Sequence, residues 1–279
     1  MLRVRPIDSL DLPELAPYRT LRQPHDHYRE RYFVAEGATV VRRLIESDLT
    51  LFSVLLPEDR FEPLRPALEA RPETIDAFIG PMPLLETMTG FNLYQGVLAC
   101  ARIPPPAELD VAFAMADRPR FFVATDELAN AENLGGLLRT AAGLGAHALL
   151  VGETCAHPYL RRSVRASMGA LFSLPVVEPV SLVEALRELS RRGVRCVGAH
   201  PHATGITLPE ADLRGDCCIV LGSEGHGLRP AVRDVCDVCV ALPMHHGVDS
   251  LNVAAAGAVF LYEVWRQRQS PPASASQRH

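Results

Sequence analysis

From residue 121 onward the chain alternates short, strongly apolar runs with longer amphipathic ones, and this rhythm restricts the fold more than any other feature. The runs 121–125, 147–151, 195–199, 217–221 and 238–242 have the length and β-branched or apolar content of strands buried on both faces. Between them, helical patterns occupy 134–144 and 182–191, a short helix is expected near Pro230, and 250–266 forms the last helix. Strand, helix and strand in succession bring consecutive strands in parallel. The class is therefore α/β, a mostly parallel sheet with helices on both faces. Ligands in such folds bind beyond the carboxyl ends of the strands, which directs attention to the loops after these runs.

The sharpest boundary is Pro104-Pro105-Pro106, where three residues in succession lack a backbone donor and favour a stiff extended spacer. With 279 residues the chain is long enough for two domains, expected at 1–106 and 107–279. In the first, 28–47 reads as helical, 51–56 and 96–100 as strands; the polar tail 270–279 is expected to be disordered. No apolar run reaches the length of a membrane span, and the N-terminus lacks the apolar core of a secretion signal. Seven scattered cysteines suit a reducing compartment, so a soluble cytoplasmic protein with no membrane partner is expected. All 28 basic residues are arginine, as a GC-rich genome would produce, though guanidinium groups also suit phosphate and stack on bases. The net charge of −5 excludes a purely electrostatic nucleic-acid binder. The acidity is concentrated in 44–117, whereas Arg161, Arg162 and Arg165 lie where no acid occurs between Glu153 and Glu178, so RNA contact would be local.

Three blocks carry chemistry. In the first, Gly136, Arg139, Thr140 and Gly143 share one helix face, which places a guanidinium among residues with almost no side chain. Glycines cost a helix about 1 kcal/mol each; either they permit close packing, or they leave room for a ligand. The second block, Leu221-Gly222-Ser223-Glu224-Gly225-His226-Gly227-Leu228, is a buried strand running into a glycine-rich turn around one carboxylate. Its spacing is neither the dinucleotide fingerprint nor the P-loop. The third runs from Leu242, Pro243 and Met244 through Ser250, Leu251 and Asn252 into an alanine-rich helix, with Ser250 read as the residue that opens it.

Together and in this order the blocks resemble the signature motifs of the SpoU, or TrmH-type, RNA ribose 2′-O-methyltransferases of the SPOUT superfamily. The first pattern matches Asn133, Gly135, Arg139, Thr140 and Ala141; the second Leu221, Gly222, Glu224, Gly227 and Leu228; the third Pro243, Met244, Ser250, Leu251, Asn252, Val253, Leu261, Tyr262 and Glu263. The stretch 165–170 is also similar to the family. Residues 31–37 and 95–99 resemble its substrate-binding domain of ribosomal-protein L30e type. The resemblance implies a C-terminal trefoil knot, a smaller N-terminal α/β domain, a homodimer with a shared active site, and S-adenosyl-L-methionine as cofactor. It implies that Leu221, Gly222, Leu242, Met244, Ser250 and Leu251 hold the methyl donor. Asn133, Arg139, Glu224 and Asn252 would be the catalytic set, with Arg139 on the phosphate and ribose of the RNA. One departure is His246, where the family often has glycine, with glycine at 247 instead.

The implied reaction is 2′-O-methylation of a ribose in structured RNA, ribosomal RNA by analogy, with transfer RNA and a non-catalytic RNA-binding relative as the alternatives. A guanidinium is permanently charged and is a poor base. Arg139 is accordingly assigned to binding and oxyanion stabilisation, with His226 as a conceivable base. A zinc reading of Cys236 and Cys239 with Cys217 and Cys218 finds no second pair at ligand-like spacing, and no metal is expected.

Overall fold

The structure, a computed structural model, describes residues 1–9, 11–21, 24–89, 96–201, 206–223 and 225–269; side chains are not described at 24–26 and 88–89. Glu224, Gln95 and the tail 270–279 therefore lie outside the described residues. The chain forms two compact units, Met1–Pro105 with Pro158–Ser173, and Pro106–His157 with the chain from Leu174 on.

The first unit holds a mixed sheet of β1 (Leu2–Pro6), β2 (Tyr32–Glu36), β3 (Leu51–Leu56), β4 (Ile75–Ile79) and β5 (Leu98–Arg102), in the order β1-β4-β3-β5-β2. The β1, β4 and β3 pairings are parallel, whereas β5 runs antiparallel to both β3 and β2. The helix expected over 28–47 is a strand followed by a helix. Tyr32, Phe33, Val34, Ala35 and Glu36 are buried without interruption, which suits an extended segment covered on both faces. Gly37, at φ +99°, then turns the chain into the helix Ala38–Ile45. The segment Pro158–Ser173, expected in the second part of the chain, belongs to this unit because its aromatic residues find partners there. The Phe33 ring lies 5.0 Å from that of Tyr159 and 5.9 Å from that of Phe172.

The second unit is built on β6 (Phe121–Thr125), β7 (Ala148–Val151), β8 (Val176–Val177), β9 (Arg195–Ala199), β10 (Ile206–Thr207), β11 (Cys217–Leu221) and β12 (Val238–Ala241). Their order is β10-β12-β9-β11-β6-β7-β8, and every pairing is parallel. All residues of β6 and β11 are buried, as expected of central strands with both faces covered. On one face, Phe122, Ala124, Cys218 and Val220 pack with Leu182, Leu186 and Leu189 of the helix Leu182–Arg191. The other face is covered by the helices Ala131–Gly143 and Val253–Gln269, which also pack on each other. Cys236 and Cys239 flank Gly198 of β9, where an added Cβ would meet the two sulfurs at 3.2 and 3.4 Å. Burial pushes both thiols above their ordinary pKa, so they remain protonated at neutral pH.

The last helix is fixed at both ends. Gln267 accepts from the Leu213 amide and donates to the Ala211 carbonyl, both at 2.8 Å, while Arg268 donates to the carbonyls of Pro119, Arg120 and Gly215. At its start the capping residue is Asn252 rather than Ser250: the Asn252 Oδ1 accepts from the amides of Ala254 at 3.0 Å and Ala255 at 3.4 Å. Along its length, Gly257 admits Leu137 and Leu221, whose Cδ1 atoms would lie 2.6 and 3.1 Å from a Cβ at this position. Gly257→Ala should raise helix propensity by about 1 kcal/mol, yet overpacking of about 1–3 kcal/mol opposes it. The expected net result, read by calorimetry, is a melting temperature lower by about 2–4 °C.

Candidate functional site

Three adjacent strands, β12, β9 and β11, end at one edge of the parallel sheet, and a cavity of about 270 Å³ lies beyond their carboxyl ends. Its walls come from the strand ends and the residues after them: Ala199 at the end of β9 and His200 after it, Gly222, Ser223, Gly225, His226 and Gly227 after β11, Leu242 and Met244 after β12. The segment Asp249 to Leu251 and the helix residues Val253, Ala256 and Phe260 close it. All of the residues expected to hold a methyl donor, Leu221, Gly222, Leu242, Met244, Ser250 and Leu251, line this cavity. They are drawn from two blocks of sequence that the sheet order sets on either side of β9.

The glycine-rich turn owes its shape to one close approach. Ser223 and Gly227 exchange backbone hydrogen bonds at 3.0 and 2.9 Å, which folds the turn back on itself. A Cβ on Gly222 would lie 2.1 Å from the carbonyl carbon of Gly227, so no other residue fits there. Gly227 itself takes φ +67°. His226, exposed on the same turn, lines the cavity, and its amide meets the Ser223 hydroxyl at 3.3 Å. On the opposite loop His246 adopts φ +56°, so the position where glycine was anticipated does take a left-handed backbone.

Motif one meets motif three directly. Asn130 caps the helix Ala131–Gly143, its Oδ1 accepting from the amides of Glu132 at 2.8 Å and Asn133 at 3.2 Å. Asn252, capping the last helix, donates through Nδ2 to Asn133 Oδ1 at 3.2 Å. Two helix N-termini are thus held side by side next to Ser250 and Leu251, and their dipoles favour negative charge there. Arg139 lies on the first of these helices, exposed, without a hydrogen bond or ion pair among the described residues, and outside the cavity lining. Nothing lies within 4 Å of a Cβ placed on Gly143, and one on Gly136 would touch Ala254 at an ordinary 3.6 Å. The helix therefore has open space around Gly143 and close packing at Gly136. Arg161, Arg162 and Arg165 belong to the first unit, in the helix Arg161–Ala166.

Sequence reading missed the groups that hold the glycine-rich turn in place. Asp126, fully buried just after β6, accepts from Arg229 through Nε at 2.7 Å and through the backbone amide at 2.8 Å. The same guanidinium reaches Glu153 at 2.9 Å, and Glu153 also accepts from the Leu182 amide at 3.0 Å. The Asp126 amide in turn donates to the Leu221 carbonyl at 2.8 Å. Burial alone would raise the Glu153 carboxyl, but backbone hydrogen bonds and Arg229 hold it below its ordinary 4.5. The only signal in the sequence was position: Asp126 directly follows an apolar run and Arg229 directly follows Leu228.

The SpoU rRNA Methylase family model matches residues 120–262. An uncharacterized tRNA/rRNA methyltransferase of Mycobacterium tuberculosis is 32% identical over 270 residues, 94% of this chain and 92% of that one. The 23S rRNA (guanosine-2′-O-)-methyltransferase RlmB of Ralstonia nicotianae is 34% identical over 190 residues, covering 68% of this chain and 76% of its own. Among solved structures, the SpoU methyltransferase AviRb from Streptomyces viridochromogenes in complex with AdoMet superposes with a TM-score of 0.80 at 27% identity, over 92% of this chain and 99% of that chain.

Two outcomes test this geometry. Gly222→Ala should destabilise the second unit by about 2 kcal/mol or more by overpacking, while Gly225→Ala, with open space around its Cβ, should stay within about 0.5 kcal/mol of wild type. Glu153→Gln should lose up to about 1 kcal/mol near neutral pH, its partner being partly solvated. Because the folded carboxyl titrates below 4.5, this stabilisation is present above that value and is lost as pH falls through the folded pKa. Melting curves of wild type and variant should therefore converge in acid.

Proposed function

This chain belongs to the SpoU rRNA methylase family, and we propose that it transfers the methyl group of S-adenosyl-L-methionine to the 2′-oxygen of a ribose in structured RNA. Ribosomal RNA is the preferred substrate in this reading. Support comes from RlmB, whose name specifies that reaction on a guanosine of 23S rRNA. The observation that carries the assignment is the Asn133–Asn252 hydrogen bond, which joins the helix of Arg139 to the segment lining the cavity.

The residues fit the cofactor. Leu221, Leu242, Met244, Leu251 and Phe260 offer apolar surface for a purine, and Ser250 and Asp249 offer polar groups for the charged amino-acid end. When bound, the sulfonium supplies an electrophilic methyl group, and this chain's own residues do the rest. The turn held by Gly222 and the loop after β12 position the donor; fixing both reactants in line removes several kcal/mol of barrier. Arg139, exposed and not neutralised by a described acid, binds the RNA phosphate and the target ribose, and its charge stabilises the developing oxyanion. Asn252 and Asn133 keep the two helix starts together, with Glu224 completing the catalytic set.

Further parts of the reading concern architecture and setting. β12 lies inside the sheet, between β9 and β10, rather than at an edge; this supports a C-terminal trefoil knot. The mixed five-stranded sheet of the first unit supports an RNA-binding domain of ribosomal-protein L30e type. Leu251, Val259, Tyr262 and Trp265 are exposed apolar residues at the last helix and its approach, and support a homodimer formed there. No described helix is long and apolar enough to cross a membrane; the setting proposed is the cytoplasm, where ribosomal RNA is modified.

Mass spectrometry of nucleosides from a deletion strain should show the loss of one 2′-O-methylated nucleotide; an unchanged set of methylated riboses would refute the reading. Arg139→Ala should reduce methyl transfer to RNA at least a hundredfold while S-adenosylhomocysteine binding, read by calorimetry, changes less than about threefold, a margin below 1 kcal/mol. Asn252→Ala should weaken both, because it removes a helix cap of about 1 kcal/mol together with the bond to Asn133.

A further inference from the structure

The arginines of the acid-free run between Glu153 and Glu178 divide by role once the chain is folded. Glu36, the last residue of β2, is only 3% exposed and accepts from Arg161 Nη1 at 2.6 Å. A buried carboxylate requires a partner, and Arg161, with 21% of its side chain exposed, provides it. Its charge is neutralised inside the unit. Arg165 Nη1 lies 3.6 Å from the same carboxylate oxygen, but 46% of that side chain is exposed. Arg162, one residue along the helix, is exposed and has no hydrogen bond or ion pair among the described residues.

A fourth guanidinium arrives from far away in sequence. Arg43, exposed on the helix Ala38–Ile45, donates through Nη1 to the Met168 carbonyl at 2.6 Å. Its stem lies so close to Gly169 that a Cβ there would be 2.9 Å from both Arg43 Cβ and Cδ. A carbonyl satisfies the hydrogen bond and cancels none of the charge. Around the turn that ends the helix Arg161–Ala166, Arg43 and Arg162 make no ion pair with a described carboxylate, while Arg161 and Arg165 share the Glu36 carboxylate at 2.6 and 3.6 Å. In a chain with a net charge of −5, this is a local excess of positive charge built by tertiary contacts.

We propose that Arg43, Arg162 and Arg165 form a phosphate-binding face on the first unit that grips the RNA backbone, while Arg161, taken up by the buried Glu36 carboxylate, makes no contact with it. The inference rests on the reading of RNA as substrate, and it removes Arg161 from the contact set while adding Arg43. Guanidinium forks match phosphate oxygens two at a time. Cations on neighbouring elements suit an anion that repeats along a strand.

The test is the salt dependence of binding to a fluorescein-labelled double-helical RNA hairpin, followed by anisotropy. Each phosphate contact removed lowers the slope of log K against log salt by about 0.7–0.9. Arg162→Gln alone, at an exposed position where folding is not at risk, should lower the slope by nearly one. The triple variant Arg43→Gln, Arg162→Gln, Arg165→Gln should lower it by about two or more. The paired change Arg161→Met with Glu36→Gln, which leaves the net charge untouched, should keep the wild-type slope. An unchanged slope in the triple variant, with native melting behaviour, overturns the proposal; so does a slope lost only in the paired variant. Polyglutamate that displaces the hairpin at equal ionic strength would reassign the face to an acidic protein and likewise overturn it. Calorimetry with S-adenosylhomocysteine on the same variants separates the two readings. A missing cofactor heat in wild type defeats the methyl-transfer reading and leaves the slopes to decide this one.

Discussion

Close contact between two helices over one strand is the constraint on which the second unit depends. The helices Ala131–Gly143 and Val253–Gln269 meet above β11, with Gly257 admitting Leu137 and Leu221. That approach sets the two helix N-termini next to each other, and the Asn133–Asn252 hydrogen bond at 3.2 Å follows from it. Residues separated by 119 positions thereby become one polar corner beside the cavity. The same contact accounts for two of the small-residue positions in these helices: Gly257 leaves room for the ends of Leu137 and Leu221, and Gly136 sits against Ala254. Packing and ligand access occupy different stretches of the same helix, since Gly143 has open space around it.

A second layer of control comes from charge buried behind the glycine-rich turn. Asp126 is fully buried and paired with Arg229, which directly follows the turn, and Arg229 also reaches Glu153. Breaking such a pair by removing one partner leaves an uncompensated charge and is far more destabilising than the pair is stabilising. The network therefore acts as a constraint on geometry, fixing where Leu221, Gly222 and the turn stand relative to the ends of β6 and β11. The first unit repeats the device with Glu36 and Arg161, where a buried carboxylate holds a helix against an edge strand.

What could be read in advance followed from short-range physics. The central strands β6, β9 and β11 and the helix Leu182–Arg191 matched their apolar runs and periodicity to the residue. Fully buried strands and amphipathic helices each leave a local pattern. The misreadings occurred where local patterns are ambiguous. A run of aromatic and β-branched residues ahead of Val40 and Val41 imitated one helix until Gly37 divided it. Ser250 was read as the cap, whereas Asn252 faces the free amides, because how the loop enters the helix decides which side chain reaches them.

By itself, then, the sequence determined the α/β class, the strands that make the core and the residue types gathered at the carboxyl edge, because burial and backbone propensity act over a few residues. Tertiary structure alone decided that Pro158–Ser173 joins the first unit, that Glu36 takes up Arg161, and that Asp126 and Arg229 secure the glycine-rich turn. Ion pairs of this kind link positions more than a hundred apart. Their partners are chosen by proximity in the folded chain, where a buried charge must be matched, and no local pattern in the sequence records that choice.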